Sequence, residues 1–139
     1  MSNVEIVEEM YHCFKTGDMA KLKAEVFADD IVFHLPGHHP LAGTKHGVNE
    51  VLAFFGRLRT LGAQVQPLGI GELSSGGVAE VYHAQGEVNG VKLEAINCNY
   101  YTIRNGKIAE VQVMMADQHN YDAFIWEGVS LKPLPDRLA

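Results

Sequence analysis

Two asparagines stand where an apolar strand face would place them. Asn97 and Asn99 are two residues apart, on the same side as Leu93, Ala95, Tyr101 and Ile103. Alternate side chains of a strand share a face, so both amides can point into one space. There they can bond a ligand carbonyl or hydroxyl. The other reading is that they pair with neighbouring strands' side chains or face a wet interface. A buried polar group costs free energy unless paired, so either reading needs partners. Val111, Val113 and Met115 share a face of the last strand pattern, and Asp117 continues their phase. At the mouth of an apolar cavity, burial would raise its pKa and suit it as a general base. Alternatively its carboxylate caps the segment Gln118-His119-Asn120. His83 shares a face with Val81 and Gln85. It is a proton shuttle if that face is the inner one, and a strand-face or interface residue otherwise.

The histidines invite a metal reading. The chain has seven, and His34, His38 and His39 are close together. Metal sites need three or four converging ligands. This segment crosses a strand end and the Pro36-Gly37 break, so convergence is not expected and no metal is assigned. His38 and His39 are expected on a loop at a pocket rim, with His38 within reach of a ligand. His34 is out of phase with Phe33 and Leu35, so it faces away from them. No glycine-rich dinucleotide or phosphate loop and no Gly-x-Ser-x-Gly elbow appears, so any chemistry is expected to need no cofactor. Cys13 and Cys98 sit within a helix pattern and a strand pattern and are expected to be reduced and buried.

These residues are positioned by a simple order of elements. Val7, Met10, Tyr11 and Phe14 recur at helical spacing, predicting a helix over 3–16 that Gly17 ends. Asp18 caps a second helix with Met19, Leu22 and Val26 on its apolar side. A short strand over Ile31 to Leu35 is broken by Pro36-Gly37, and a loop through Pro40 and Gly43 leads to a third helix. That helix carries Val48, Val51, Leu52, Phe55 and Leu58. From residue 64 the period becomes two. Strands are expected over 64–73, 78–88, 91–104 and 107–117, with Asn89-Gly90 and Asn105-Gly106 as hairpin turns. A short helix begins near Tyr121. Residues 1–127 form one domain and 128–139 a loosely packed tail. The fold is therefore α+β: a curved antiparallel sheet wrapped around three N-terminal helices, a cone with an internal pocket. Tyr11, Phe33, Leu35, Val113 and Met115 are expected to line it beside the asparagines.

Composition narrows the partners. The chain has 139 residues and a net charge of −6, with no basic face for phosphates, so nucleic acid is not expected. No apolar run approaches the length of a membrane span. The acidic start MSNVEIVEEM is unlike a signal peptide, and a cytoplasmic protein is expected.

The stretch DDIVFHLPGHHPLAGTKHG, with this order of elements, resembles the SnoaL-like branch of the nuclear transport factor 2-like superfamily. The resemblance spans residues 3–127 and implies a cystatin-like cone. It also implies a small hydrophobic carbonyl or polyketide-like ligand, and isomerase, cyclase or dehydratase-type lyase activity. A non-catalytic binding or dimeric partner module of the same fold is the alternative. Ketosteroid isomerases of similar layout use a first-helix tyrosine, a strand aspartate as base and a later aspartate. Those positions fall on Met10 (Tyr11 is one residue on), Leu35 and Asn99. The acid that related cyclases and epoxide hydrolases carry in the last strand falls on Val113. Asp117 or His83 is left as the candidate base, with Asn97 or Asn99 as the oxyanion donor. A homodimer is implied by the resemblance and by strands apolar on both faces.

Overall fold

The computed structural model describes residues 1–130; the expected loose tail LKPLPDRLA lies outside the described residues. Helix α1, Asn3–Thr16, begins with a capping box between Ser2 and Glu5 and ends at Gly17, whose φ of 77° is left-handed. It turns Ile6, Val7, Met10 and Cys13 inward. The second helix is a single α turn, α2, Met19–Lys21, capped by Asp18 and running into a π turn, Leu22–Val26. The wider turn buries both Leu22 and Val26. Helix α3, Val48–Thr60, buries Val48, Val51 and Phe54.

Six strands follow the helices' inner sides: β1 Phe27–Leu35, β2 Gly43–His46, β3 Gln64–Glu72, β4 Val78–Val88, β5 Val91–Arg104 and β6 Lys107–Met114. Their order in the sheet is β2-β1-β6-β5-β4-β3. Asn89 and Asn105 adopt φ values of 49° and 53°, so both Asn-Gly pairs make the hairpin turns the sequence predicts. Three details differ from the sequence reading. The Gly43–His46 segment is an edge strand against β1, not loop. The sheet is antiparallel except between β1 and β6, which run parallel. The last strand stops at Met114, short of the expected residue 117.

Helix α4, Gln118–Gly128, closes one end with Tyr121, Phe124 and Ile125 buried, and Val129 behind it is buried too. It is tied to the turn after β1. His38 N–H donates to Asp122 (3.2 Å), Gln118 Nε2 to the Pro36 carbonyl (3.2 Å) and Trp126 Nε1 to the His38 carbonyl (2.6 Å). Gly37 permits this approach: its φ is 124°, and a Cβ there would collide with Asp122, Gln118 and His39 side chains.

Strand alternation separates two faces. Val78, Glu80, Tyr82 and Ala84 of β4 are buried, as are Leu93, Asn97, Asn99 and Tyr101 of β5. The opposite face of the same strands leaves Val81 and Ile96 about half exposed, at 43% and 55%, with Met114 of β6 at 44%. Cys13 and Cys98 are both free thiols; Cys13 is buried as expected, but Cys98 is only partly buried, because its phase in β5 puts it beside Val81 on the outer face. Among the described residues no helix is long and apolar enough to cross a membrane.

Candidate functional site

The inner face does not close on the helices. A cavity of about 280 Å³ remains between α1, α3, the sheet and α4. Phe14, Phe33, Phe54 and Phe55 form one wall, in contact at ring-centroid distances of 4.8–5.4 Å. Tyr82, Tyr101, Asn97 and Asn99 supply the polar part of the other. The lining residues that are exposed, Arg59, Gln64 and Val65, mark the opening. Arg59 is held there by a hydrogen bond to the Phe14 carbonyl (2.9 Å).

Strand register assembles the polar wall. Glu80 stands directly opposite Asn99, which stands opposite Val113. Tyr101 follows Asn99 by two residues, so its ring lies on the same face. The result is a three-membered cluster around one carboxyl oxygen. Tyr101 OH donates to Glu80 Oε1 (2.8 Å), Asn99 Nδ2 donates to the same oxygen (3.2 Å), and Asn99 Nδ2 also reaches the Tyr101 oxygen (3.2 Å). Glu80 is fully buried. Burial pushes its carboxyl pKa up, and the hydrogen bonds from Tyr101 and Asn99 pull the other way. Desolvation and the adjacent carboxyl likewise hold Tyr101 well above the ordinary phenol value. Burial also raises Tyr11 and Tyr82, with the Tyr101 phenol a further cause at Tyr11 and the Glu80 carboxyl at both. The cluster is thus built to hold its protons. Tyr101 and Asn99 line the cavity, and Glu80 stands behind them.

Asn97 is held differently. Its Oδ1 accepts from the Ala116 N–H (3.1 Å), which anchors it to the link between β6 and α4. Its Nδ2 is buried without a hydrogen-bond partner, as is Asn99 Oδ1. Tyr82 faces Asn97 across the β4–β5 pair, and its hydroxyl feels the amide without reaching hydrogen-bond geometry.

Of the residues singled out from sequence, Asn97, Asn99, Tyr11, Phe33, Leu35, Val113 and Met115 line this cavity together. Three do not. Asp117 is exposed, and its carboxylate caps α4 by accepting from the Asn120 N–H (3.0 Å). The strand ends at Met114, so the two-residue phase does not carry to Asp117. His83 lies on the outer face, 3.7 Å from Glu94, because Tyr82 and Ala84 take the inner positions of β4. His38 is exposed and contributes only its backbone groups to α4.

Its neighbour His39 is buried instead, against the Tyr121 ring (centroids 5.3 Å apart), with Nδ1 accepting from the Leu41 N–H (3.1 Å). Burial lowers its pKa, and Asp122, 3.9 Å away, opposes this. His34 faces outward, between Thr44 and Glu110. Asn99 also departs from its expected role: its donor amide is already engaged by Glu80 and Tyr101, and its free atom is an acceptor. Glu80 was not visible as a site residue. A glutamate between Ala79 and Val81 reads as a surface position, and only its pairing with Asn99 reveals the opposite.

Residues 7–111 match the SnoaL-like domain family. The chain belongs to that family, within the nuclear transport factor 2-like superfamily. A relative is the uncharacterized protein Rv0034 of Mycobacterium tuberculosis, 26% identical over 126 residues, covering 88% of this chain and 95% of that protein. A Xanthomonas campestris protein of unknown function with a cystatin-like fold superposes with a TM-score of 0.81. It is 28% identical, over 90% of this chain and 98% of its own. A nuclear transport factor 2-like protein of Burkholderia xenovorans gives a TM-score of 0.73 at 25% identity, over 89% and 95% of the two chains. The SnoaL-like match ends at Val111, within β6, so it includes Glu80, Asn97, Asn99 and Tyr101.

Proposed function

We propose that this SnoaL-like protein is a cofactor-independent enzyme that moves protons on a small hydrophobic oxygenated substrate. The reaction class is isomerase, cyclase or dehydratase-type lyase. One observation carries this reading: a fully buried carboxyl, Glu80, hydrogen-bonded to the hydroxyl of a cavity-lining tyrosine, Tyr101. Burial favours the neutral acid, and we read the pair as a proton store. In the proposed step the Tyr101 hydroxyl turns from Glu80 and gives its proton to a substrate oxygen, while a protonated Glu80 carboxyl turns its own O–H to the phenol oxygen and gives up that proton, leaving a carboxylate. A proton returning from substrate or water resets the pair. Tyr101 is the catalytic residue and Glu80 the positioning residue behind it. A raised acid of this kind serves general-acid work near neutral pH.

The test is incubation with bicyclic ketones and hydroxy-ketones in D2O. Mass spectrometry then reads both deuterium gain and loss of water. Wild type and Asp117→Asn are expected to react and Glu80→Gln, still folded, to lose the reaction. Binding without reaction by wild type would favour the second reading, a ligand-binding module. That reading has its own support: Glu80 stands behind the cavity wall, not in it.

The same proposal includes a second copy of the chain on the outer sheet face. Val81, Cys98 and Met114 stand abreast there, with the exposed Ile96 beside them. Sedimentation velocity is expected to give a dimer for wild type and a monomer for Ile96→Glu. A monomeric wild type would remove this part.

A further inference from the structure

The rim of the cavity carries a charge that its interior lacks. Among the described residues that line it, Arg59 is the one charged side chain, and no aspartate or glutamate joins it. It stands in the last turn of α3, where a cation offsets the free carbonyls of the helix end. That role alone would leave the guanidinium over its own helix. Instead Nη2 donates to the Phe14 carbonyl of α1 (2.9 Å), so the group bridges two helices at the opening. A guanidinium presents several N–H donors in a planar fork, and this bond uses one of them. Among the described residues no carboxylate forms an ion pair with it. One turn back along α3, Phe55 lies on the same side of the helix and touches Phe14, with ring centroids 4.8 Å apart. A cation with donors to spare therefore adjoins an aromatic wall.

We infer that the cavity takes a hydrophobic carboxylic acid, its apolar body against the aromatic wall and its carboxylate on Arg59 at the opening. A carboxylate deeper inside would lose its water and meet no cation, which is costly. At the rim it stays partly hydrated and meets a fork whose spacing matches its two oxygens. The surrounding charge agrees. The chain as a whole carries −6, which repels anions. The last turns of both bridged helices are basic, however, with Lys15 on α1 and Arg57 beside Arg59 on α3. Size sets the body: an apolar cavity of about 150 Å³ holds one benzene, and this one is about 280 Å³. Two rings fit, with faces and edges of Phe14, Phe33, Phe54 and Phe55 to pack on. Anchoring the acid at the rim also fixes which end of the ligand enters first, the end that reaches the buried wall of Tyr101. Arg59 is thus a specificity-determining residue. The inference rests on the proposed function only in placing a small hydrophobic ligand in this cavity; it holds for an enzyme and for a binding module alike.

The test is a binding series by calorimetry at neutral pH and low salt: 2-naphthylacetic acid, its methyl ester and 2-(2-naphthyl)ethylamine, against wild type and Arg59→Gln. The three probes share one apolar body and differ in the charge at its end. Wild type is expected to bind the acid about ten-fold more tightly than the ester, and the amine more weakly than the ester. Added salt is expected to narrow the gap between acid and ester. Acid and ester are expected to compete, because both use the aromatic wall. Arg59→Gln is expected to bind the ester as wild type does and to lose the gain for the acid. Equal binding of acid and ester by wild type would overturn the inference while leaving the cavity-ligand reading standing. So would an acid preference undiminished in Arg59→Gln, or acid and ester binding independently. Failure of every probe to bind would overturn both. Arg59 is exposed, and the wild-type series decides the matter even if its variant does not fold.

Discussion

β4 and β5 present two faces built from similar residue types, and only one holds a candidate site. The inner face has Glu80, Asn97, Asn99 and Tyr101; the outer has His83, Glu94 and Cys98. On the outer face the acid–base pair, His83 and Glu94, is 3.7 Å apart, with Glu94 largely exposed. Water screens such a pair, and exposed ion pairs contribute about 0–1 kcal/mol. On the inner face Glu80 is fully buried and hydrogen-bonded to Tyr101 at 2.8 Å. There desolvation favours the neutral carboxyl, and its hydrogen-bond partners come from the neighbouring strand. The difference teaches that residue type does not make the site; the phase of the strand does.

The largest expected effect that sharpens this contrast is a pH-dependent stability at Glu80. Its folded pKa is raised, chiefly by burial. The folded state therefore holds this proton more tightly than the unfolded state. Its contribution is fully present below the unfolded pKa and is lost as pH rises through the folded one. Each pKa unit of that rise is worth about 1.4 kcal/mol. Glu80→Gln keeps the shape and cannot ionise. Urea unfolding at pH 5 and pH 8 is expected to show wild type losing stability relative to Glu80→Gln as pH rises, and the size of the loss reads out the size of that pKa rise. Parallel curves would mean that Glu80 ionises as easily when folded, and the inner face would lose its distinction.

Much of the architecture was legible because it is written locally. Gly17, Gly62 and the two Asn-Gly pairs punctuate the chain where backbone must turn left-handed. The phase of β5 was legible because Leu93 and Tyr101 bracket the asparagines on one side. The phase of β4 was not: Val78 and Tyr82 favour one face, but Ala79 and Val81 make the other nearly as apolar. Only the long-range pairing of Glu80 with Asn99 resolves it. The parallel β1–β6 contact is also long-range, and β2 carries no apolar residue to announce it. Asp117 was misplaced for a related reason. Alternation was carried past Met114, where the hydrogen-bonded ladder has already stopped.

The smallest expected effect tests the outer face directly. His83→Ala removes a partly exposed imidazole that stands 3.7 Å from the exposed Glu94. Its stability change is expected to stay within about 0.5 kcal/mol. Deuterium gain and water loss from the bicyclic hydroxy-ketones are expected to match wild type. Histidine is the side chain best suited by intrinsic pKa to move protons at neutral pH, so this is also the strongest challenge to the inner-face reading. If His83→Ala abolished the reaction while the protein stayed folded, the chemistry would lie on the outer face. Glu80 and Tyr101 would then be structural, holding β4 to β5 behind a binding cavity. An unchanged reaction, set beside its loss in Glu80→Gln, would leave the buried face as the only one of the two that moves a proton.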